Sequence, residues 1–271
     1  MAPEGVVPAR GCCNHAHLKM HIIDTEAIIL ATSDYGESDR LITFLTRTNG
    51  KLKGIAKGAR RSHKRFVHTF EPLSVVALQI RERSATSLLW VEACKLVEPY
   101  MALRDALDRW GFAALLAEVM VELVPERLPQ EELFLLLKDV LMHLEQDRDA
   151  INVVILALYR MLAALGYILE LESCSQCQQQ LNKMGHYWLH LARGQLLCER
   201  HETRARGGTR LDLGTLVLLR RARTAGLEQL WRLRLRSGVQ TSLLEALLEV
   251  VRSQMNKELK SSRFLRDIGA L

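Results

Sequence analysis

The chain has 271 residues, of which 48% are hydrophobic and 25% charged, and 37 Lys+Arg against 31 Asp+Glu leave a net charge of +6. That balance belongs to a globular chain and excludes collagen-like, disordered and disulfide-scaffold classes. The most apolar stretch, 151–169, is interrupted by Asn152 and Arg160, and it falls short of the roughly 20 apolar residues of a membrane span, so no membrane partner is expected. No basic start followed by an apolar block marks a secretory signal, which makes the cytoplasm the expected compartment. The 6 cysteines then favour free thiols or a metal site over a disulfide framework.

Charge is unevenly placed. Residues 1–99 carry +4, residues 100–172 carry −7 and residues 173–271 carry +9. Two basic ends around an acidic middle point to polyanion binding at the ends, against the alternative of ordinary solvated surface.

In chain order, residues 1–19 show no apolar period and read as a disordered leader. Met20 stands directly before the first patterned segment, so translation starting there is an expectation. Cys12, Cys13, His15 and His17 lie in this leader and are expected to be disordered tail more than metal site. From Ile22 to Val97 the pattern is that of short strands: 21–30, 41–48, 51–57, 73–80 and 88–97. Asn49-Gly50 between two of these runs predicts a two-residue type I′ hairpin, which needs positive φ at both central positions. Five strands in under 80 residues fit a small closed barrel of the OB type. Beyond Pro99 the period lengthens to that of helices. Leu103, Leu107, Trp110, Ala114, Ala117, Val121 and Val124 predict one helical face. Leu133, Leu136, Leu137, Val140, Leu141 and Leu144 predict a second, and Val154, Leu158, Met161, Leu162 and Leu165 a third. Further helices are expected over 213–225 and 243–259. The fold class is therefore α+β and multi-domain: an OB barrel over 20–98, then a helical domain over 99–271.

One insertion breaks the helical pattern. Cys174-x-x-Cys177 and Cys198-x-x-His201 form two knuckles whose four side chains complete the tetrahedral shell of a structural zinc, one ion per chain, in a ribbon at about 172–206. The segment between the pairs reads as two short strands around Arg193-Gly194. His186 and His190 are alternative ligands without a partner at knuckle spacing, and a redox role for the Cys pairs stays open beside the zinc reading. Four protein ligands leave no open position, which disfavours a zinc hydrolase.

The second feature is a basic run. Lys51, Lys53 and Lys57 alternate along one strand and are expected to share a face, and Arg60, Arg61, Lys64 and Arg65 follow in a loop, with Arg40 and Arg47 nearby. Phe66 is the ring available for base stacking. A strand face with an adjoining basic loop is where an OB barrel meets a phosphate backbone, whereas lysines that merely protect a sheet edge are the alternative. No phosphate loop, H-E-x-x-H, G-x-S-x-G or G-x-G-x-x-G occurs, so no enzymatic activity is expected.

Together, the segment TEAIIL at Thr25–Leu30, KGARR at Lys57–Arg61, FEPL at Phe70–Leu73, the ribbon Cys pairs and LKSSRFL at Leu259–Leu265 resemble the RecO family of bacterial DNA repair and recombination proteins. The resemblance runs from about Met20 to Leu271. It implies an N-terminal OB fold, a helical domain with an inserted zinc ribbon, binding of single- and double-stranded DNA, annealing of complementary strands, and partnership with RecR and single-stranded DNA-binding protein in the RecF-type pathway, near the nucleoid. His201 stands where many members have a fourth Cys, and some members lack the ligands, so the zinc is expected to be structural. A zinc-ribbon scaffold that docks proteins without touching DNA is the other reading.

Overall fold

The computed structural model describes residues 21–62, 65–66, 68–82, 88–146, 149–168, 171–181, 185–202, 208–255 and 257–271. The leader, His63, Lys64 and the last part of the expected ribbon lie outside the described residues.

Strands β1 (His21–Tyr35), β2 (Asp39–Thr46), β3 (Gly50–Ala56), β4 (Val75–Glu82) and β5 (Leu89–Glu98) close into a barrel in the order β1-β2-β3-β5-β4. β4 returns antiparallel to β1, and β3 runs parallel to β5 at Gly54 to Leu89 and Ile55 to Trp90. This is the OB arrangement that the sequence led us to expect. Ala27 and Ile29 of β1 point into the barrel with Ile42, Phe44, Leu52, Val76, Leu78 and Ile80. Ile28 and Leu30 point the other way, into the core of the helical part. The run Ala27 to Leu30 is continuous and not alternating because both faces of β1 are covered there.

The hairpin between β2 and β3 differs from its expected form. Thr46 pairs with Gly50, leaving Arg47, Thr48 and Asn49 as a three-residue loop. Gly50 has φ +72° and Asn49 has no positive φ, which is a turn followed by a left-handed Gly bulge and not the two-residue type I′ form. The Thr46 hydroxyl secures it, accepting from the Asn49 amide at 3.0 Å and donating to the Gly50 carbonyl at 2.8 Å.

The helical part comprises α1 (Leu107–Leu123), α2 (Glu131–Glu145), α3 (Ala150–Ala164), α4 (Glu199–Glu202), α5 (Leu213–Thr224), α6 (Leu227–Leu230), α7 (Ser237–Met255) and α8 (Lys260–Asp267). The apolar row on α2 is fully buried as expected, each leucine contributing about 1.5–3 kcal/mol by leaving water. Around α1 the expected face is met in part: Leu103, Ala117 and Val124 are buried and Trp110 and Val121 pack against the core, but the burial extends well beyond that face. Leu107 is 64% exposed, while Phe112, Ala113, Leu115, Leu116, Val119 and Met120 are buried. α1 packs against α2, α3, α7, α8 and β1 at once, so it carries no single stripe and a one-sided periodicity picks only some of its buried residues. The expected helix over 243–259 is α7, which begins earlier, at Ser237, and ends at Met255, and α8 is a further helix that starts after its N-cap Leu259.

Between α3 and α5 lies a small sheet of β6 (Tyr187–His190), β7 (Gln195–Cys198) and β8 (Thr209–Leu211) in the order β7-β6-β8. β6 and β7 are the two expected strands, joined by a tight turn that ends on Gly194 at φ +62°. β8 was not foreseen, because three residues beyond the hairpin leave no readable period. Tyr187, Leu189, Leu196 and Leu211 join the core of the helical part, so the ribbon is packed down and not suspended.

Candidate functional site

Cys174, Cys177, Cys198 and His201 converge as the knuckle spacing predicts: one ligand atom from each lies within 4.8 Å of all the others. Cys174 Sγ is 3.5 Å from His201 Nδ1, Cys198 Sγ is 3.3 Å from the same nitrogen, and Cys177 Sγ is 4.0 Å from Cys198 Sγ. Thiolates at about 2.3 Å from a tetrahedral ion sit about 3.8 Å apart, so these separations and this donor set fit a structural metal. The first knuckle is shaped by its own backbone, with Gln178 N–H on the Cys174 carbonyl at 2.8 Å and Cys174 N–H on the Gln179 carbonyl at 3.0 Å. Ser175 ties it to β7, donating its N–H to Leu196 O at 2.7 Å and accepting the Leu196 N–H on its hydroxyl at 3.0 Å. Burial opposes a charge on Cys174, but hydrogen bonds from the Cys177, Cys198 and Gln176 backbone and from His201 outweigh it and bring the thiol down to about 6. Cys198 is pushed up by burial and by the adjoining Cys174 sulfur. His190 is no ligand: its Nε2 lies 3.0 Å from the Glu202 carboxylate, and it thereby anchors the short helix that carries His201.

The basic residues of the barrel divide into two groups. Lys51 is only 5% exposed, and its ammonium donates to the carbonyl oxygen of Val121 in α1. Burial lowers its pKa. Lys53 forms an ion pair with Glu126 at 2.6 Å. The expectation of an open face shared with Lys57 therefore fails for Lys51, because the segment after α1 lies along this part of β3, with Arg127 N–H on Lys51 O at 2.9 Å, whereas Lys53 stays exposed beside its partner Glu126. Ion pairs Arg47–Glu131, Arg127–Glu82 and Lys138–Glu26 at 2.6–2.8 Å continue the same junction between barrel and helices.

The second group stands at the opposite end of β3. Lys57, Arg60, Arg61 and Arg65 are exposed there, and Arg60 closes onto the β1–β2 turn. Its backbone N–H donates to Ser38 O at 3.0 Å and its guanidinium to the carbonyls of Gly36 and Glu37. Arg40 and Arg60 both face the Asp34 carboxylate, at 4.0 and 3.4 Å. Asp39 is held below the usual carboxylate range by the Gly58 N–H and then by the Ser38 hydroxyl, and so pins the start of the loop. Arg65 reaches the Lys57 carbonyl at 2.7 Å. Lys64 lies outside the described residues. Phe66 is 5% exposed and packs on Phe70, ring centres 5.0 Å apart, so it closes the barrel interior and offers no face to a base. Two rings are presented beside this group: Trp90, half-buried with the Lys57 ammonium 4.3 Å above it, and Tyr35, 53% exposed at the end of β1 next to the Asp34 that Arg40 and Arg60 face. Trp90 was missed, although its place between the inward Leu89 and Val91 puts it outward by strand alternation.

Comparison with known proteins decides the family. The family model described as "Recombination protein O N terminal" matches residues 20–100, and "Recombination protein O C terminal" matches 104–263. The chain belongs to the RecO family. It is 47% identical over 242 residues to the DNA repair protein RecO of Syntrophobacter fumaroxidans, covering 89% of this chain and 96% of that one. RecO of Syntrophus aciditrophicus is 32% identical over 247 residues, covering 90% and 95%. RecO of Anaeromyxobacter sp. (strain K) is 31% identical over 252 residues, covering 93% and 99%. As a RecO-family DNA repair protein the chain combines an OB-like barrel, a helical part and a Cys3His cluster, and among the described residues no helix is long and apolar enough to cross a membrane.

Proposed function

We propose that this chain is a DNA-binding recombination mediator that pairs complementary strands without ATP and without a catalytic residue of its own. The observation that carries the reading is the exposed group Arg40, Lys57, Arg60, Arg61 and Arg65 gathered where the β1–β2 turn meets the end of β3, with Trp90 beside it. Such a surface takes the phosphate backbone of single- or double-stranded DNA by charge. Neutralised strands repel each other less, and with half-buried Trp90 and exposed Tyr35 as the rings beside the group, stacking engages few bases and most keep their edges free for pairing. Residues 20–98 are the DNA-binding unit in this reading and 99–271 the docking unit. Cys174, Cys177, Cys198 and His201 would hold one zinc ion that supplies cross-linking of the ribbon and no chemistry. Family membership supports RecR and single-stranded DNA-binding protein as partners, the latter bringing the chain to coated strands, in the cytoplasm at the nucleoid.

A scaffold that does not bind DNA is favoured by one observation, the engagement of Lys51 and Lys53 with the helical part. Titration of a labelled single strand at two salt concentrations separates the readings. Phosphate binding makes affinity fall steeply with salt, by a log–log slope of about 0.7 per phosphate. The variant K57E/R60E/R61E should weaken binding to every sequence and flatten that slope. Unchanged affinity in the folded variant would remove the barrel from DNA recognition.

A further inference from the structure

Between α6 and α7 the chain runs Trp231-Arg-Leu-Arg-Leu-Arg236, in which apolar and basic residues alternate. Trp231 and Leu235 are each 6% exposed and Leu233 is half-buried, whereas Arg232, Arg234 and Arg236 are exposed. The strap is held by a polar side chain placed in the core. Asn152 of α3, fully buried, donates its amide to Leu233 O at 3.0 Å and accepts Leu235 N–H at 2.9 Å. A carbonyl and an N–H two residues apart are what an extended strand offers its neighbour, so Asn152 stands in for a strand and keeps Leu233 to Leu235 extended, after a turn in which Arg232 N–H donates to Gln229 O at 3.2 Å and Leu233 N–H to Leu230 O at 3.1 Å. The Trp231 indole N–H on the Asp139 carboxylate holds the other end.

Arg234 and Arg236, two apart beside the extended stretch, are separated by about 6.6 Å, close to the interval between neighbouring phosphates of a stretched single strand, and Arg232 stands on the turn before them. The acid that faces them is Asp212, 3.0 Å from Arg236. Arg236 nevertheless has 84% of its side chain exposed, and Arg234 donates to the carbonyls of Trp231 and Leu233, so among the described residues the three guanidiniums form one ion pair, with Asp212. We infer that Arg232, Arg234 and Arg236 form a second phosphate-binding track, which holds one DNA strand on the helical part while the barrel holds its complement. The inference rests on the DNA-binding reading above and deepens it, because pairing needs two strands on one protein and the barrel group accounts for one. An extended polyanion fits the strap better than a compact acidic ligand, since the three exposed arginines follow one another along the chain.

The test uses the full chain and R232Q/R234Q/R236Q. With the tighter site saturated by an unlabelled oligo-dT, wild type should bind a second, labelled oligo-dT. The variant should bind it at least about tenfold more weakly, with a salt slope lower by about 2 for three lost phosphate contacts. Annealing of bare complementary strands should slow about as much, while affinity for the first strand changes less than about threefold. The variant R232K/R234K/R236K, which keeps the charge, should remain near wild type. Equal loss in the Lys variant would make the arginines structural and overturn the inference. Wild-type annealing and second-strand binding in the Gln variant would also overturn it, leaving DNA binding by the barrel intact. Bare-strand annealing at wild-type rate, with loss confined to strands coated by single-stranded DNA-binding protein, would overturn it in favour of an acidic protein partner. Failure of wild type to bind any strand would instead defeat the DNA-binding reading itself.

Discussion

Lys51 of the barrel donates its ammonium to the carbonyl oxygen of Val121, in the last turn of α1. The final carbonyls of a helix have no partner within it, and a cation there also complements the helix dipole. One side chain thus closes α1 and fastens the barrel to it, from a position 5% exposed. Replacing it by Met keeps the volume but leaves Val121 O unpaired. Lys51→Met should cost about 1–3 kcal/mol in urea unfolding, with affinity for single-stranded DNA unchanged within about twofold. A large loss of DNA affinity at unchanged stability would return Lys51 to the DNA face.

Gly50 stands beside it at φ +72°, and a Cβ there would lie 1.9 Å from the Leu128 carbonyl oxygen. Gly50→Ala combines an unfavourable backbone region with a backbone clash at the junction. The expected loss is at least about 2–3 kcal/mol, read as a lowered unfolding midpoint. Gly58, also at positive φ but with nothing within 4 Å of a Cβ, should tolerate Ala at roughly 1 kcal/mol.

Asp212 caps α5, accepting the Thr215 N–H at 2.7 Å, and that bond followed by the nearby Arg236 holds its carboxyl below the ordinary 3.8. The fold therefore stabilises the ionised form. Its contribution is complete above pH 3.8 and is lost as pH falls through the lowered folded value. Asp212→Ala should cost about 1 kcal/mol at pH 7. The gap between variant and wild type should narrow on acidification below pH 3.8, and a gap independent of pH would refute the capping role.

Metal removal should act on the ribbon first. Cys174→Ser should bring metal content below one per chain and change the fluorescence of Trp188, which lies on β6. A chelator should do the same to wild type, with a stability loss of about 4 kcal/mol where free metal had stood a thousandfold above Kd. Full metal content in the Ser variant would show the ligand set to be wrong. DNA binding by the barrel should survive both treatments.

Much of this was legible along the chain because it depends on neighbours in sequence. A C-x-x-C knuckle needs two side chains a turn apart, so Cys174 with Cys177 and Cys198 with His201 announce their chemistry locally. The strands of the barrel follow from alternation, and the buried row of α2 from a helix with one covered side. What failed was a matter of contacts with distant residues. The burial of α1 on several sides went beyond the one face that its periodicity shows, and β8 was too short to show a period. Phe66 was misread as a presented ring because only the closed barrel shows that it is enclosed, against Phe70.

By itself, then, the sequence determined the order of a barrel and a helical part, the convergence of three cysteines and a histidine into a cluster that could hold a metal, and the family, all of which are written in spacing and local pattern. The tertiary structure alone decided how its basic residues divide. Lys51 is spent on the end of α1 and Lys53 pairs with Glu126 at the surface, Lys57, Arg60, Arg61 and Arg65 are left to solvent, and Asn152 holds Leu233 to Leu235 extended between Arg232 and Arg236. The reason is physical. A lysine's charge is the same in every context, and whether it meets water, a carboxylate or the open end of a helix depends on what the fold brings within a few ångströms of it.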